Sequence, residues 1–153
     1  MSLSIKQHIS LQPYNSLALP AYAEYFCEVA DQQELVAALD YAREHQLKVT
    51  PLGGGSNLVL AGDLSGLVIH LNTRGIDYSI AGEAVEVCFA AGENWHQGVL
   101  TTLQRGWYGL ENLSLIPGNM GAAPIQNIGA YGVELADLFV SLSAIEILSL
   151  IHI

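Results

Sequence analysis

The groups best placed to do chemistry in this chain are backbone amides, more than acids or nucleophiles. In "PLGGGSNLVL" (residues 51–60) an apolar run ends in Gly53, Gly54 and Gly55, followed by Ser56, Asn57 and Leu58. Three missing Cβ atoms permit positive φ and let a ligand come close to successive N–H groups. Consecutive amides of this kind form a concave site for an anion such as phosphate, and Ser56 and Asn57 add side-chain donors. The same triplet also suits a plain turn between strands, and taken alone it leaves both readings open. It is not a Walker loop, since no Gly-Lys-Ser/Thr follows, and it lacks the spaced fingerprint ahead of a helix.

A denser constellation lies in "GLENLSLIPGNMGAAPIQNIGAYGVE" (residues 109–134). Gly118 and Gly121 bracket a turn after Pro117, and Ala122 and Ala123 keep the side chains small. Pro124 suits the first turn of a short helix, where its missing N–H costs little. That helix is expected to aim free amides at an anion. Gln126 and Asn127 offer carboxamides that match the donors and acceptors of a heteroaromatic ring. Ala130 and Tyr131 follow, and Tyr131 either reaches a ligand or packs on the core. A bland loop needs no such density of small and amide residues, so this stretch reads as ligand-binding.

Single candidates are weaker. His96 is expected on a helix surface, with a proton shuttle as the sharper alternative. Glu93, Glu111 and Glu134 are possible acids, but no spacing pairs them into defined roles. No Ser-His-Asp or Cys-His arrangement can be assembled. The five histidines show no ligand spacing with cysteines or carboxylates, so no metal site is expected. Cys27 and Cys88 both lie in apolar runs and are expected to be buried free thiols, a disulfide being the alternative.

Just over half of the 153 residues are hydrophobic and 13% are charged, which is enough apolar material for a core. A formal charge of −10 argues against general nucleic-acid or anionic-membrane binding. No apolar run approaches the roughly 18 residues of a membrane span. The first residues lack a signal-peptide pattern. A soluble, cytoplasmic protein is the expectation.

The elements that must position these groups are legible in outline. "YFCEVA" (residues 25–30) reads as a strand. "DQQELVAALDYAREHQ" reads as a helix capped by Asp31, with Glu34 completing a capping box and Leu35, Leu39 and Ala42 on one face. "LKVTPL" (47–52) and "LVIHL" (67–71) read as strands, the latter without a wet face. "AVEVCFAAG" alternates Val85, Val87 and Phe89 against Glu86 and Cys88, a half-buried strand. "ENWHQGVLTTLQRG" reads as a helix capped by Asn94, with Gln97 at the reciprocal position, Trp95, Val99 and Leu103 as its stripe, and Gly106 past its end. "DLFVSLSAIEI" reads as a closing strand. The fold class is α+β: two small α/β subdomains, the second truncated, in preference to a doubly wound sheet.

Together "YNSLALPAYA", "LGGGSNLVL", "AGENWHQGV" and "GLENLSLIPGNMGAAPIQNIGAYGVEL" closely resemble the UDP-N-acetylenolpyruvoylglucosamine reductases, flavoenzymes of bacterial peptidoglycan precursor synthesis. The last segment is highly specific. The resemblance implies an FAD-binding fold of the vanillyl-alcohol-oxidase type, in which two α+β subdomains enclose the cofactor. Gly53, Gly54, Gly55, Ser56 and Asn57 would hold the FAD pyrophosphate, as would the amides around Gly121, Ala122 and Ala123. Pro124, Ile125, Gln126, Asn127, Ala130 and Tyr131 would line the flavin side, with Leu58, Pro117 and Gly118 in the same cofactor set. It further implies NADPH as electron donor and hydride transfer to the enolpyruvyl group of a UDP-sugar. A serine, a glutamate and an arginine would assist the proton steps.

Those three residues and the substrate domain have no counterpart in this chain, so no catalytic residue is carried over. The expected organisation is a first FAD-binding subdomain over 1–71, an incomplete second over 72–147, and a non-native tail over 148–153. The tail, "LSLIHI", back-translates to a transposon-end adapter used in sequencing libraries. On this reading the chain alone is inactive, binds FAD weakly or not at all, and aggregates through an open sheet edge and exposed apolar surface. The alternatives are another flavin oxidoreductase of the same fold and a binding module that holds FAD without turnover.

Overall fold

A computed structural model describes residues 3–147; the expected non-native tail lies outside them. The chain divides into two compact units, residues 3–72 with 141–147 and residues 73–140.

The first unit is a four-stranded sheet carrying one helix. Its strands are β1 (Lys6–Ser10), β2 (Tyr22–Val29), β3 (Val49–Leu52) and β4 (Leu64–Leu71), in the order β1-β2-β4-β3. β2 runs antiparallel to β1 and parallel to β4, and β3 is parallel to β4. Parallel strands of one sheet need a crossover, and α1 (Gln32–Glu44) carries the chain from β2 to β3, the two strands that flank β4. As expected, the Asp31 side chain accepts from the Glu34 amide. The reciprocal arm lands one residue earlier than a capping box requires: Glu34 Oε2 accepts from the Ala30 amide, 2.8 Å away.

β4 is buried on both faces, as its unbroken apolar run implies. Leu67 and Ile69 meet Ala38, Leu39 and Ala42 of α1, together with Cys27 and Val29. On the other face Val68 packs with Leu11, Ala23, Phe26 and Leu52. Ala23 and Phe26 share that face although three residues apart. The register between β2 and β4 shifts between Ala23 and Tyr25, where β4 carries one extra residue and Gly66 takes φ +82°. A Cβ on Gly66 would stand 2.3 Å from the Lys48 carbonyl oxygen.

The second unit joins a hairpin to a helix and a chain of short turns. β5 (Ile76–Ala81) and β6 (Ala84–Phe89) pair antiparallel. α2 (Trp95–Gln104) is capped by Asn94, whose side chain accepts from the Gln97 amide. Trp95 and Val99 pack with Leu113, Met120, Ala123 and Leu135. The indole Nε1 of Trp95 donates to the Leu113 carbonyl at 2.6 Å. Gly106 takes φ +75° after the helix end, as expected.

Two expectations fail. "DLFVSLSAIEI" is not a strand. Leu135–Asp137 is a 3₁₀ turn, and residues 138–144 form neither helix nor strand. Hydrophobicity alone does not make a strand without a ladder partner, and Val140 is 70% exposed. Cys88 is exposed, not buried. It shares the outer face of β6 with Glu86, and the alternation overrides the apolar character of the run. Cys27 is a buried free thiol as expected.

Candidate functional site

Each unit carries one of the two stretches singled out by sequence. In the first, Gly53–Asn57 turns directly off the carboxyl end of β3, the end where ligands dock on parallel α/β sheets. Gly54 and Asn57 are exposed, whereas Gly55 is buried. Gly55 takes φ +62°, and a Cβ there would stand 2.0 Å from the Tyr14 carbonyl oxygen and 2.8 Å from Asn15 Cα. Its glycine is therefore demanded by the protein's own backbone, apart from any ligand.

The segment that presses on Gly55 is a strap over residues 11–19. The Ser16 amide donates to the Gly55 carbonyl at 3.0 Å. Asn15, one of two buried polar residues among the described residues, holds the strap closed. Its Nδ2 donates to the carbonyls of Leu11 (2.9 Å) and Leu19 (3.1 Å), and its Oδ1 accepts from the Leu19 amide (2.9 Å). Sequence reading assigned Asn15 no role. An asparagine inside an otherwise apolar "YNSLALPAYA" was the available signal, since a buried carboxamide must find partners. Leu58 packs beneath the turn, against the face of the sheet that holds Val68.

In the second unit, residues 118–121 lie along residues 91–95. The Gly118 carbonyl accepts from the Trp95 amide (3.0 Å), the Met120 amide donates to Glu93 (2.8 Å), and the Gly121 amide donates to Ala91 (2.9 Å). A Cβ on Gly121 would stand 2.6 Å from the Ala91 Cβ. The expected short helix is present as α3 (Ala123–Gln126), with Pro124 in its first turn. The amides expected to be open at its start are not. The Ala122 amide donates to Asn119 at 3.1 Å, and the Ala123 amide donates to Met120. A 3₁₀ turn over Met120–Ala122 leads into α3 and absorbs them.

Asn127 ends α3 in the left-handed conformation, φ +42°. Its carboxamide is committed: Nδ2 donates to Glu134 (2.8 Å), and Oδ1 accepts from the Ala136 amide (2.9 Å). Next come two-residue strands β7 (Gly129–Ala130) and β8 (Val133–Glu134), joined by Tyr131 and Gly132 at φ +54° and +80°. Positive φ at both positions defines a type I′ turn, where a tyrosine is sterically costly. Tyr131 is 89% and Ile125 85% exposed. Gln126 is exposed and Ala130 half-buried. Leu115, which sequence reading passed over, is also left-handed at φ +64° and 77% exposed. Large apolar side chains held outward on strained backbone are the unit's most ligand-like feature.

The acids have structural work. Glu93 accepts from the Gly75 amide at 2.9 Å and lies 3.6 Å from Arg74. Glu111 accepts from the Gly109 amide at 2.6 Å, which holds its carboxyl below the usual range. Glu134 and Asp137 form a reciprocal cap on the 3₁₀ turn at Leu135–Asp137. His96 Nδ1 accepts from the Leu115 amide at 3.2 Å, at the helix surface. Among the described residues no three His, Cys, Asp or Glu side chains gather as a metal site, and no helix is long and apolar enough to cross a membrane.

The chain belongs to the FAD-binding domain family, whose pattern matches residues 23–147. It is 48% identical over 147 residues to the UDP-N-acetylenolpyruvoylglucosamine reductase of Pseudomonas fluorescens, an alignment covering 95% of this chain and 43% of that protein. The reductase of the same name from Chromobacterium violaceum is 48% identical over 138 residues, or 90% of this chain and 40% of that one. Among solved structures, UDP-N-acetylenolpyruvylglucosamine reductase from Thermus caldophilus superposes with a TM-score of 0.65 at 26% identity, covering 90% of this chain and 46% of that one. A cholesterol oxidase from Brevibacterium sterolicum shares the fold, with a TM-score of 0.51 at 18% identity over 69% of this chain and 20% of its own. The chain thus spans less than half the length of the curated relatives it matches.

Proposed function

We propose that this chain forms the FAD-binding part of an NADPH-dependent reductase acting on UDP-N-acetylenolpyruvoylglucosamine in the cytoplasm. The observation that carries the reading is the 48% identity to a reductase of that name along 95% of the chain. A match of that length includes both glycine-rich stretches.

The residues present fit the cofactor by their chemistry. Gly53, Gly54, Gly55, Ser56 and Asn57 are proposed to hold the diphosphate. With a net charge of −10 on the chain, local donors rather than the overall field must balance a diphosphate. Ile125 and Tyr131 present apolar surface for a flat ring, and Gln126 an exposed carboxamide for its polar edge. Gly118, Gly121, Ala122 and Ala123 contribute smallness, because the last three already spend their amides within the protein. Pro117, Pro124, Asn127, Ala130 and Leu58 support the surfaces from which these groups project. When bound, FAD supplies the hydride chemistry; this chain binds and orients it.

The test uses the full-length protein. It should purify with one FAD per chain and oxidise NADPH only when the UDP-sugar is added. Protein that releases no flavin on denaturation overturns the reading. A second reading, a flavin oxidase of the same fold, is favoured by turnover with dioxygen in the absence of the UDP-sugar.

A further inference from the structure

At the carboxyl ends of β2, β4 and β3 three paired residues lie in one row: Glu28, His70 and Leu52. His70 and Glu28 join through a contact of 3.0 Å between Nδ1 and Oε2. Asn72 Nδ2 donates to the other carboxylate oxygen at 3.0 Å. The imidazole is thereby fixed in orientation, and its side chain is only 17% exposed. Its ring edge meets Tyr14, with centroids 5.0 Å apart and planes at 67°, and Phe26 braces Tyr14 at 4.9 Å. Tyr14 is the residue whose carbonyl abuts Gly55. Contacts therefore run unbroken from the Glu28 carboxylate, through the His70 and Tyr14 rings, to the backbone of the glycine turn.

We propose that His70 is a positioning residue for the glycine turn: held by Glu28, it presses Tyr14 and the 11–19 strap against Gly55 and so fixes the amides that face the cofactor diphosphate. The cofactor part rests on the reading above; the mechanical part does not. Two features favour positioning over plain core packing. The imidazole is oriented by a charged partner, which an apolar core side chain would not need. The contact it makes also lands on the strap whose Ser16 amide bonds the turn at Gly55. A further group that acts on this pair is Lys6 of β1, whose charge favours ionised Glu28. The hydrogen bond from His70, followed by that from Asn72, holds the Glu28 carboxyl below its ordinary range against the opposing effect of burial.

The experiment is hydrogen exchange by mass spectrometry on the complete gene product stripped of flavin, comparing a peptide over residues 11–19 with one over 32–44. His70→Ala should speed exchange in 11–19 on the order of tenfold, the loss of one aromatic edge contact in a local opening, while α1 stays unchanged. His70→Phe keeps a ring against Tyr14 but loses the bond to Glu28, so it should restore only part of the protection, and full restoration would overturn positioning by Glu28. Unchanged exchange in 11–19, or an equal rise in both peptides, overturns the proposal. FAD affinity of the same variants separates the two claims. A loosened strap with weakened FAD binding supports both. A loosened strap with unaltered FAD binding keeps the positioning of the turn and removes the turn from the cofactor site.

Discussion

Gly55→Ala tests the demand that the strap places on the glycine turn. Two costs meet at this position. An alanine at φ +62° pays about 1–2 kcal/mol for the left-handed conformation. Its Cβ would also stand 2.0 Å from the Tyr14 carbonyl oxygen, a contact that no real Cβ makes, so the strap must lift. Lifting it breaks the Ser16–Gly55 hydrogen bond, worth about 1 kcal/mol net. The expected loss is about 3 kcal/mol, a large fraction of a typical domain's stability. Two other glycines separate the costs. Gly82 has φ +65° and open space around its would-be Cβ, so Gly82→Ala should lose only about 1 kcal/mol. Gly62 has open space and no left-handed φ, so Gly62→Ala should be neutral or stabilising by about 0.5 kcal/mol. Urea unfolding followed by far-ultraviolet circular dichroism is the assay. Tryptophan emission does not serve, because Trp95 and Trp107 both lie in the unit without Gly55. If Gly55→Ala costs no more than Gly82→Ala, the close approach of the strap is refuted.

Trp95→Phe should lose about 2 kcal/mol in urea unfolding, since it strips the Leu113 carbonyl of its indole partner in a buried setting; a loss under about 0.5 kcal/mol speaks against that bond. Glu28 has a folded-state pKa below its ordinary value, through its hydrogen bonds to His70 and then Asn72. Its contribution is therefore complete above the ordinary carboxylate range and declines as pH falls through the folded value. Urea midpoints of the wild type should drop more steeply in acid than those of Glu28→Gln, and parallel profiles would exclude the pair from stability. Among the thiols, Cys88 is exposed, while burial and then the charge of Glu34 push Cys27 up to about 11. A disulfide-exchange reagent at pH 8 should therefore label one thiol promptly and the second only in urea; equal rates would contradict the burial of Cys27.

What was legible in the sequence was local. Asp31 and Asn94 announced helix starts because a cap and the amide it serves lie three residues apart. The unbroken apolar run of β4 announced a strand covered on both faces. β1, with the residues "KQHIS", was missed because a mostly polar edge strand carries no periodic signal. The apolar residues of β2 defied simple alternation where its register against β4 shifts between Ala23 and Tyr25, an irregularity set by pairing with a strand distant in sequence. At the candidate site, the glycines were found but the reason for Gly55 was not, since Tyr14 and Asn15 meet it only after folding. The amides of Ala122 and Ala123 looked open for a similar reason: a 3₁₀ turn that consumes them leaves no mark in small-residue composition.

Pro51 stands in β3, the outermost strand of its sheet on that side. A proline ring has no hydrogen to offer, and prolines in sheets sit with that blank position turned outward. A strand arriving from a second molecule would therefore find a gap in the donor row after Thr50. The strand holds four residues, so the gap takes up a good part of its length. Growth of the sheet past β3 is hindered by covalent structure at this position. The residue that leads the chain into its glycine turn thus also makes the adjoining border poor ground for fibril-like stacking, whatever the turn itself holds.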